Sequence, residues 1–294
     1  MRSRTDGAIP RSQDFSPRTV VGRTMPKAGK KVAILSIEGT NCDAELNSCF
    51  QQLGADPEVV DLKQLTGEVD DPSLRRRLAD YDVLMFPGGF SAGDYVRAGA
   101  IMAARIRSAL GKELFEFVED PAHLVGGICN GFQVLVELGL LPGRPGNRLS
   151  APQACLTTND SARFECRPTF VSWEGGNFRP FSATPKGSVY FFPSAHGEGK
   201  LVLSGTEGTS LKDLEAAGQI LFRWVDPDGE PAGYPWNPNG SEGNVAGITN
   251  PEGNVFGLMP HPERAFSLTA RDRVLGRPTR HPVLTGREFL AALL

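Results

Sequence analysis

Apolar residues first cluster at Lys31, where KVAILSI forms an unbroken hydrophobic run. Turn residues Glu38 to Asn41 follow, and then DAELNSCFQQLG, in which Leu46, Cys49, Phe50 and Leu53 fall at i, i+3, i+4 and i+7. This spacing predicts a strand, a turn and a helix with one buried stripe, stopped by Gly54 in a left-handed conformation. EVVDL reads as a second strand, and DVLMFP as a third that ends in Gly88-Gly89. LVGGI reads as a fourth that runs into Cys129 before the helical stretch GFQVLVELGLL. Between the third and fourth strands, Ala98 to Glu119 reads as one long helix. Strands that are apolar throughout and alternate with helices predict a parallel sheet buried on both faces, a doubly wound α/β unit.

Beyond Pro142 the pattern changes. FECRPTFVSW, SVYFFPSA, KLVLS, QILFRWV, NVAGIT and NVFGLMP are short apolar segments separated by Gly, Pro and Asn, the punctuation of antiparallel hairpins. The fold class expected is α/β, with a mostly parallel central sheet and an added antiparallel β portion. No linker separates the two parts, so residues 31–294 read as one domain. Residues 1–30 hold seven Lys or Arg against two Asp and no apolar periodicity, which predicts a disordered or loosely attached extension. Such an acid-poor start also suits a transit peptide, though the amphipathic pattern is missing, and Met25 could equally be the biological start.

Composition narrows the function. A net charge of -3 and a pI near 5.9 give no footprint for nucleic acid or an anionic membrane, so small or neutral substrates fit better. No run of about 18 apolar residues is present to span a bilayer, and no secretory signal opens the chain. The five cysteines, Cys42, Cys49, Cys129, Cys155 and Cys166, are odd in number and lack CxxC spacing. This argues against a disulfide scaffold and a zinc site and for a reducing compartment, with the cytoplasm as default. No metal ligand set is expected.

Gly127-Ile128-Cys129-Asn130-Gly131 is a G-x-C-x-G sequence at a strand-to-helix junction, the cysteine counterpart of the nucleophile elbow of serine hydrolases. Flanking glycines leave room for a sharp turn with the nucleophile in an unfavourable backbone region, while the following helix aims its N-terminal amides at the sulfur. That environment favours a reactive thiolate. A free cysteine is more often a small buried hydrophobe, and the other four are read that way.

A nucleophile needs a base. Of four histidines, His261 follows the apolar NVFGLM and lies in Pro260-His261-Pro262-Glu263-Arg264. Pro262 keeps His261 extended and is suited to open a helix with Glu263 in its first turn. Imidazole and carboxylate two residues apart could then hydrogen-bond, although a histidine capping a helix start is an alternative that spacing does not remove. Both Cys129 and His261 would lie at carboxyl ends of strands, the edge where open α/β sheets bind ligands. His123 and His281 read as structural. For an oxyanion, the amide of Asn130 and one from Gly88-Gly89 are candidate donors; a plain tight turn is the other reading of the glycine pair.

These residues resemble the triad-type, class I glutamine amidotransferases, and among them the glutaminase subunits of phosphoribosylformylglycinamidine synthases. GGICNGFQVL and PHPER carry the general resemblance. The narrower one rests on six blocks in order: GTNCD at 39–43, PGGFSAGDYVRAGA at 87–100, NDSARFECR at 159–167, AHGEGK at 195–200, NPNGS at 237–241 and MPHPER at 259–264. The first block is preceded by Ile37-Glu38, where the family leads one to expect a phenylalanine-proline pair, and residues 1–30 are no family feature.

The resemblance implies a flavodoxin-like architecture in which Cys129, His261 and Glu263 form the catalytic triad that hydrolyses L-glutamine. It also implies a substrate contact from Gln133, alongside the alternative of a polar residue on an exposed helix face, and a loop of Asn159, Ser161 and Phe164 that holds the substrate's amino-acid end. Released ammonia would pass through a shielded channel to a synthetase subunit that binds ATP and Mg, with a small accessory subunit by analogy. This chain has no G-x-x-x-x-G-K-[ST] phosphate loop of its own. His196 and Glu198 match by motif without a role, and could face the synthetase or line the site. Rival readings are a sister amidotransferase or other cysteine hydrolase, and a scaffold subunit that has lost turnover; an intact triad weighs against the scaffold.

Overall fold

A computed structural model of the chain describes residues 29–144, 151–205, 208–267 and 282–294. His281 and nearly all of the expected N-terminal extension lie outside the described residues. In chain order the strands are β1 Lys31–Ser36, β2 Asp56–Asp61, β3 Val83–Phe86, β4 Leu124–Ile128, β5 Ala154–Thr157, β6 Glu165–Arg167 and β7 Phe170–Trp173. They continue as β8 Val189–Phe191, β9 Ser194–His196, β10 Lys200–Leu203, β11 Ile220–Val225, β12 Val245–Thr249, β13 Val255–Leu258 and β14 Val283–Leu284. Helices are α1 Asp43–Gln52, α2 Leu62–Thr66, α3 Ala100–Ala109, α4 Gly111–Glu119, α5 Asn130–Glu137 and α6 Leu211–Ala216, with a C-terminal helix over Gly286–Ala292.

Ten strands join in one sheet, ordered β14-β8-β7-β11-β12-β13-β4-β3-β1-β2. The five from β2 to β13 are mutually parallel. From β13 through β12, β11 and β7 to β8 the pairing is antiparallel, and β14 adds in parallel at the edge. Two small antiparallel ribbons, β5 with β10 and β6 with β9, stand apart from this sheet. One cluster of buried side chains contains Ile34, Met85 and Val125 from the parallel strands and Trp173, Phe222 and Trp224 from the antiparallel ones.

The junction between the halves positions the site. NVFGLM, read as part of the antiparallel portion, is antiparallel to β12 but parallel to β4, with Gly257 opposite Gly127 and Leu258 opposite Ile128. Cys129 then leaves its strand beside Met259, and its N–H donates to the Leu258 carbonyl at 2.8 Å. Two segments some 130 residues apart in sequence thus end side by side at one sheet edge.

The expected single helix over Ala98–Glu119 is two helices broken at Leu110, whose φ of -131° is non-helical. Gly111, a poor helix former worth about 1 kcal/mol less than alanine, follows the break. The bend lets both Met102 and Ile106 of α3 and Leu114, Phe117 and Val118 of α4 reach the core. Cys42 and Cys49 are buried as expected, but Cys155 and Cys166 are exposed. They sit at outward positions of β5 and β6, where side chains alternate across a ribbon with one solvated face. No helix among the described residues is long and apolar enough to cross a membrane.

Candidate active site

Cys129 caps the N-terminus of α5 with φ 52° and ψ -107°. A positive φ is uncommon outside glycine and stores on the order of 1–3 kcal/mol, so the surrounding structure must enforce it. Both neighbouring glycines do so by close approach. An ideal Cβ on Gly127 would stand 2.6 Å from the Gly131 backbone, and one on Gly131 would overlap the Phe86 carbonyl at the end of β3. The elbow therefore seats its sulfur at the edge of the sheet, 6% exposed, with Sγ 3.6 Å from the Ala195 carbonyl oxygen.

His261 enters from β13, its N–H bonded to the Pro193 carbonyl at 2.8 Å. Pro262 opens a 3-10 turn over Pro262–Ala265 that carries Glu263 back under the ring. His261 Nδ1 and Glu263 Oε1 are 2.6 Å apart, with the imidazole 2% and the carboxylate side chain 0% exposed. The carboxylate accepts the Nδ1 proton, which leaves Nε2, without a partner among the described residues, for chemistry. Burial is the largest influence on the ring and disfavours its charge. The charge of Glu263, the Cys129 sulfur and the Cys42 thiol together outweigh it, and the imidazole is raised well above its ordinary pKa.

Cys42 adds a second sulfur to this corner. Its Sγ lies 3.9 Å from His261 Nδ1 and accepts a hydrogen bond from Arg264 Nη2 at 3.1 Å. Cys42, His261 and Glu263 bring one ligand-type atom each within 4.8 Å of one another. Burial pushes the Cys42 thiol up, and Nδ1 is committed to Glu263, so the trio reads as a support for the base.

The GTNCD segment grips the Gly88-Gly89 turn. Phe90 N–H donates to the Gly39 carbonyl at 2.9 Å and Cys42 N–H to the Gly88 carbonyl at 3.1 Å. A Cβ on Gly89, whose φ is 147°, would stand 2.8 Å from the Asn41 nitrogen. Across from this turn Asn130 is the first residue of α5, where the N–H has no intrahelical acceptor. Its side-chain Oδ1 accepts from Ser91 N–H at 3.2 Å, and its Nδ2 reaches Gln133 Oε1 at 3.0 Å and Asp94 Oδ1 at 3.1 Å. Gln133 is 5% exposed and donates to the Glu198 carbonyl at 2.6 Å, which removes the reading of an exposed helix face. Glu198 accepts from Ala98 N–H at 3.2 Å. Burial first, and then the Glu198 charge, push Asp94 up to about 6.

Asn159 is 2% exposed, and its N–H donates to the Gly197 carbonyl. NPNGS supports this loop from outside, with the Asn239 carbonyl accepting from Asp160 N–H at 3.2 Å. Ser161 Oγ is buried without a partner among the described residues, and Phe164 is 52% exposed with its ring centroid 6.3 Å from that of Phe90. His196 is 2% exposed, so it presents no outer surface. His123 stacks on Phe117 at 4.0 Å, as a structural residue would.

A family profile described as the CobB/CobQ-like glutamine amidotransferase domain matches residues 29–283. The chain belongs to that family. This amidotransferase is 52% identical over 239 residues, 80% of the chain, to phosphoribosylformylglycinamidine synthase subunit PurQ of Archaeoglobus fulgidus, covering 88% of that protein. It is 39% identical over 236 residues to the subunit PurQ of Aquifex aeolicus, covering 80% of the chain and 91% of the relative. Among solved structures, a chain of PurLQS from Thermotoga maritima superposes with a TM-score of 0.64 at 30% identity, over 90% of this amidotransferase and 97% of that chain. Cys42, Arg264 and Asp94 also belong to the site, and no local pattern marks them in the sequence, since their contacts are with residues distant along the chain; their place within GTNCD, MPHPER and PGGFSAGDYVRAGA is the one signal that points to them.

Proposed function

We propose that this amidotransferase is the glutaminase subunit of a phosphoribosylformylglycinamidine synthase. The glutaminase chemistry is carried by the buried 2.6 Å His261–Glu263 pair together with a cysteine held at positive φ on a nucleophile elbow, and the synthase by the 52% identity to a phosphoribosylformylglycinamidine synthase subunit. Cys129 Sγ attacks the carboxamide carbon of L-glutamine as its proton passes to Nε2 of His261. The oxyanion takes hydrogen bonds from Asn130 N–H and an amide of the Gly88-Gly89 turn. His261 gives its proton to the departing nitrogen as the C–N bond breaks, which releases ammonia and leaves a thioester. Nε2 of His261 then takes a proton from water as it attacks that thioester, and the C–S bond breaks as the proton passes to Cys129 Sγ, which releases glutamate and restores the thiol. Glu263 holds His261 in the tautomer that both steps require.

Gln133 contacts the substrate at the wall, and the loop of Asn159, Ser161 and Phe164 receives its amino-acid end. Ammonia at neutral pH in bulk water is mostly protonated, so it passes under cover to a synthetase subunit. That partner activates formylglycinamide ribonucleotide with ATP and Mg, in the cytoplasm, with a small accessory subunit in the assembly. The test measures glutamate and ammonia release by wild type and Cys129→Ala, with and without the synthetase, formylglycinamide ribonucleotide and ATP. Partner-stimulated release that vanishes in the variant is expected; release that persists without Cys129 removes the assigned nucleophile, and none under any condition leaves a scaffold.

A further inference from the structure

Asn159 fixes the tautomer of His196. Its Nδ2 donates to the carbonyls of Arg163 at 2.9 Å and His196 at 2.8 Å, so its Oδ1 is the acceptor. That oxygen receives Gly199 N–H at 3.0 Å and faces His196 Nδ1 at 3.2 Å. Nδ1 must carry the ring proton, and Nε2 therefore presents a lone pair. A Cβ on Gly199 would fall 2.5 Å from Nδ1, so the glycine in HGEG keeps this arrangement possible. Burial first, then the charge on His261, push the imidazole down to about 3, and it stays neutral at physiological pH.

Nε2 of His196 has no partner among the described residues, and neither has Nε1–H of Trp224, whose side chain is fully buried. The two ring centroids are 6.4 Å apart. A buried acceptor and a buried donor left unpaired each cost the desolvation of a polar group with no hydrogen bond in return. A single small molecule that accepts one hydrogen bond and donates another would satisfy both atoms. Ammonia has one lone pair and three N–H bonds. The strand that carries His196 runs past the source, since the carbonyl of Ala195, one residue before it, is the 3.6 Å contact of Cys129 Sγ.

We propose that His196 Nε2 and Trp224 Nε1–H form a holding site for the ammonia released at Cys129, which deepens, and rests on, the glutaminase reading. The lone pair of His196 accepts an ammonia N–H, and the indole donates to the ammonia nitrogen. A neutral imidazole has no acidic proton to convert ammonia to ammonium, so the nitrogen remains a nucleophile for the synthetase.

The test uses the reconstituted synthase with His196→Phe or Trp224→Phe in this subunit. Amidine product per glutamate released is expected to fall about two-fold or more as ammonia escapes, while synthesis driven by added ammonium chloride is retained. A direct readout does not depend on those variants folding. In 15N-histidine-labelled Cys129→Ala protein, His196 is expected as the Nδ1–H tautomer, with an Nε2 resonance that moves on adding ammonium chloride in alkaline buffer and not on adding sodium chloride. An Nε2–H tautomer, an Nε2 resonance indifferent to ammonia, as for a site holding water alone, or full coupling in both variants overturns the proposal. Cys129-dependent glutamate release in the same preparations tests the glutaminase reading separately.

Discussion

Gly88 and His261 leave no room for a methyl group between them: an ideal Cβ on Gly88 would stand 2.7 Å from His261 Cε1 and 3.1 Å from Cys42 Sγ. The turn proposed to donate to the oxyanion is therefore also one wall of the slot that holds the base. Its other edge is fixed by backbone hydrogen bonds to Gly39 and from Cys42, so it cannot retreat without breaking them. The imidazole is the group that would have to move.

Gly88→Ala should displace the His261 ring by somewhat under 1 Å and lower kcat for glutamine hydrolysis by roughly ten- to a hundred-fold, since a misplacement of about 1 Å can cost a hundred-fold. Steady-state glutamate release together with a thermal melt checks this. A kcat within a few-fold of wild type would mean that the ring is not held by this contact.

Gly131→Ala should act on stability as well as on rate. Its Cβ would overlap the Phe86 carbonyl, a backbone atom locked in the parallel ladder between β3 and β4. Overpacking of this kind costs about 1–3 kcal/mol, and urea unfolding should show it as a lowered midpoint. Gly233→Ala is the control, with nothing within 4 Å of its Cβ and no positive φ, and should stay within about 0.5 kcal/mol of wild type.

Strand and helix identity were legible where the hydrophobic period was long. KVAILSI became β1, and the stripe of Leu46, Cys49, Phe50 and Leu53 is buried on and just beyond α1. The elbow was legible because its chemistry is local: glycines at 127 and 131, two residues either side of Cys129, meet each other across the turn. Topology was less so. NVFGLM carries the same apolar signature whichever way it pairs, and only tertiary placement beside β4 makes one of its pairings parallel. The break at Leu110 was hidden inside a continuous apolar pattern. Cys42 was read as a plain hydrophobe because its partners, His261 and Arg264, are more than 200 residues away.

That contact makes its own prediction. Cys42→Ala removes the acceptor of the Arg264 Nη2 hydrogen bond and a neighbour of His261 Nδ1, so Arg264 and the ring both gain freedom. Loss of the outer partners of metal-bound histidines typically costs about ten-fold or more; a loss of that order is expected here, borne by kcat more than by KM. Cys42→Ser, which keeps a donor and an acceptor, should recover part of the loss. Equal rates for wild type and Cys42→Ala would leave Cys42 as packing only.

Glu263→Gln separates charge from shape. Glutamine can still accept the Nδ1 proton through Oε1, so the ring keeps its orientation, but the carboxylate charge that opposes the effect of burial is gone. With burial then the dominant influence, the pKa of His261 must fall. The sign follows from linkage: a group whose folded pKa lies above its unfolded value adds stability that is complete below the unfolded pKa and is lost as pH rises through the folded one. In wild type the His261 proton, and the stability it contributes, therefore persist into alkaline solution. In Glu263→Gln both should be lost at lower pH. Because that same proton is the one given to the departing nitrogen, the alkaline limb of kcat/KM should move toward lower pH, with the plateau reduced by about 10²–10⁴. Glutamate release followed from about pH 6 to 10 reads both effects. A reduced plateau with an unmoved alkaline limb would assign the titrating proton to a group other than His261.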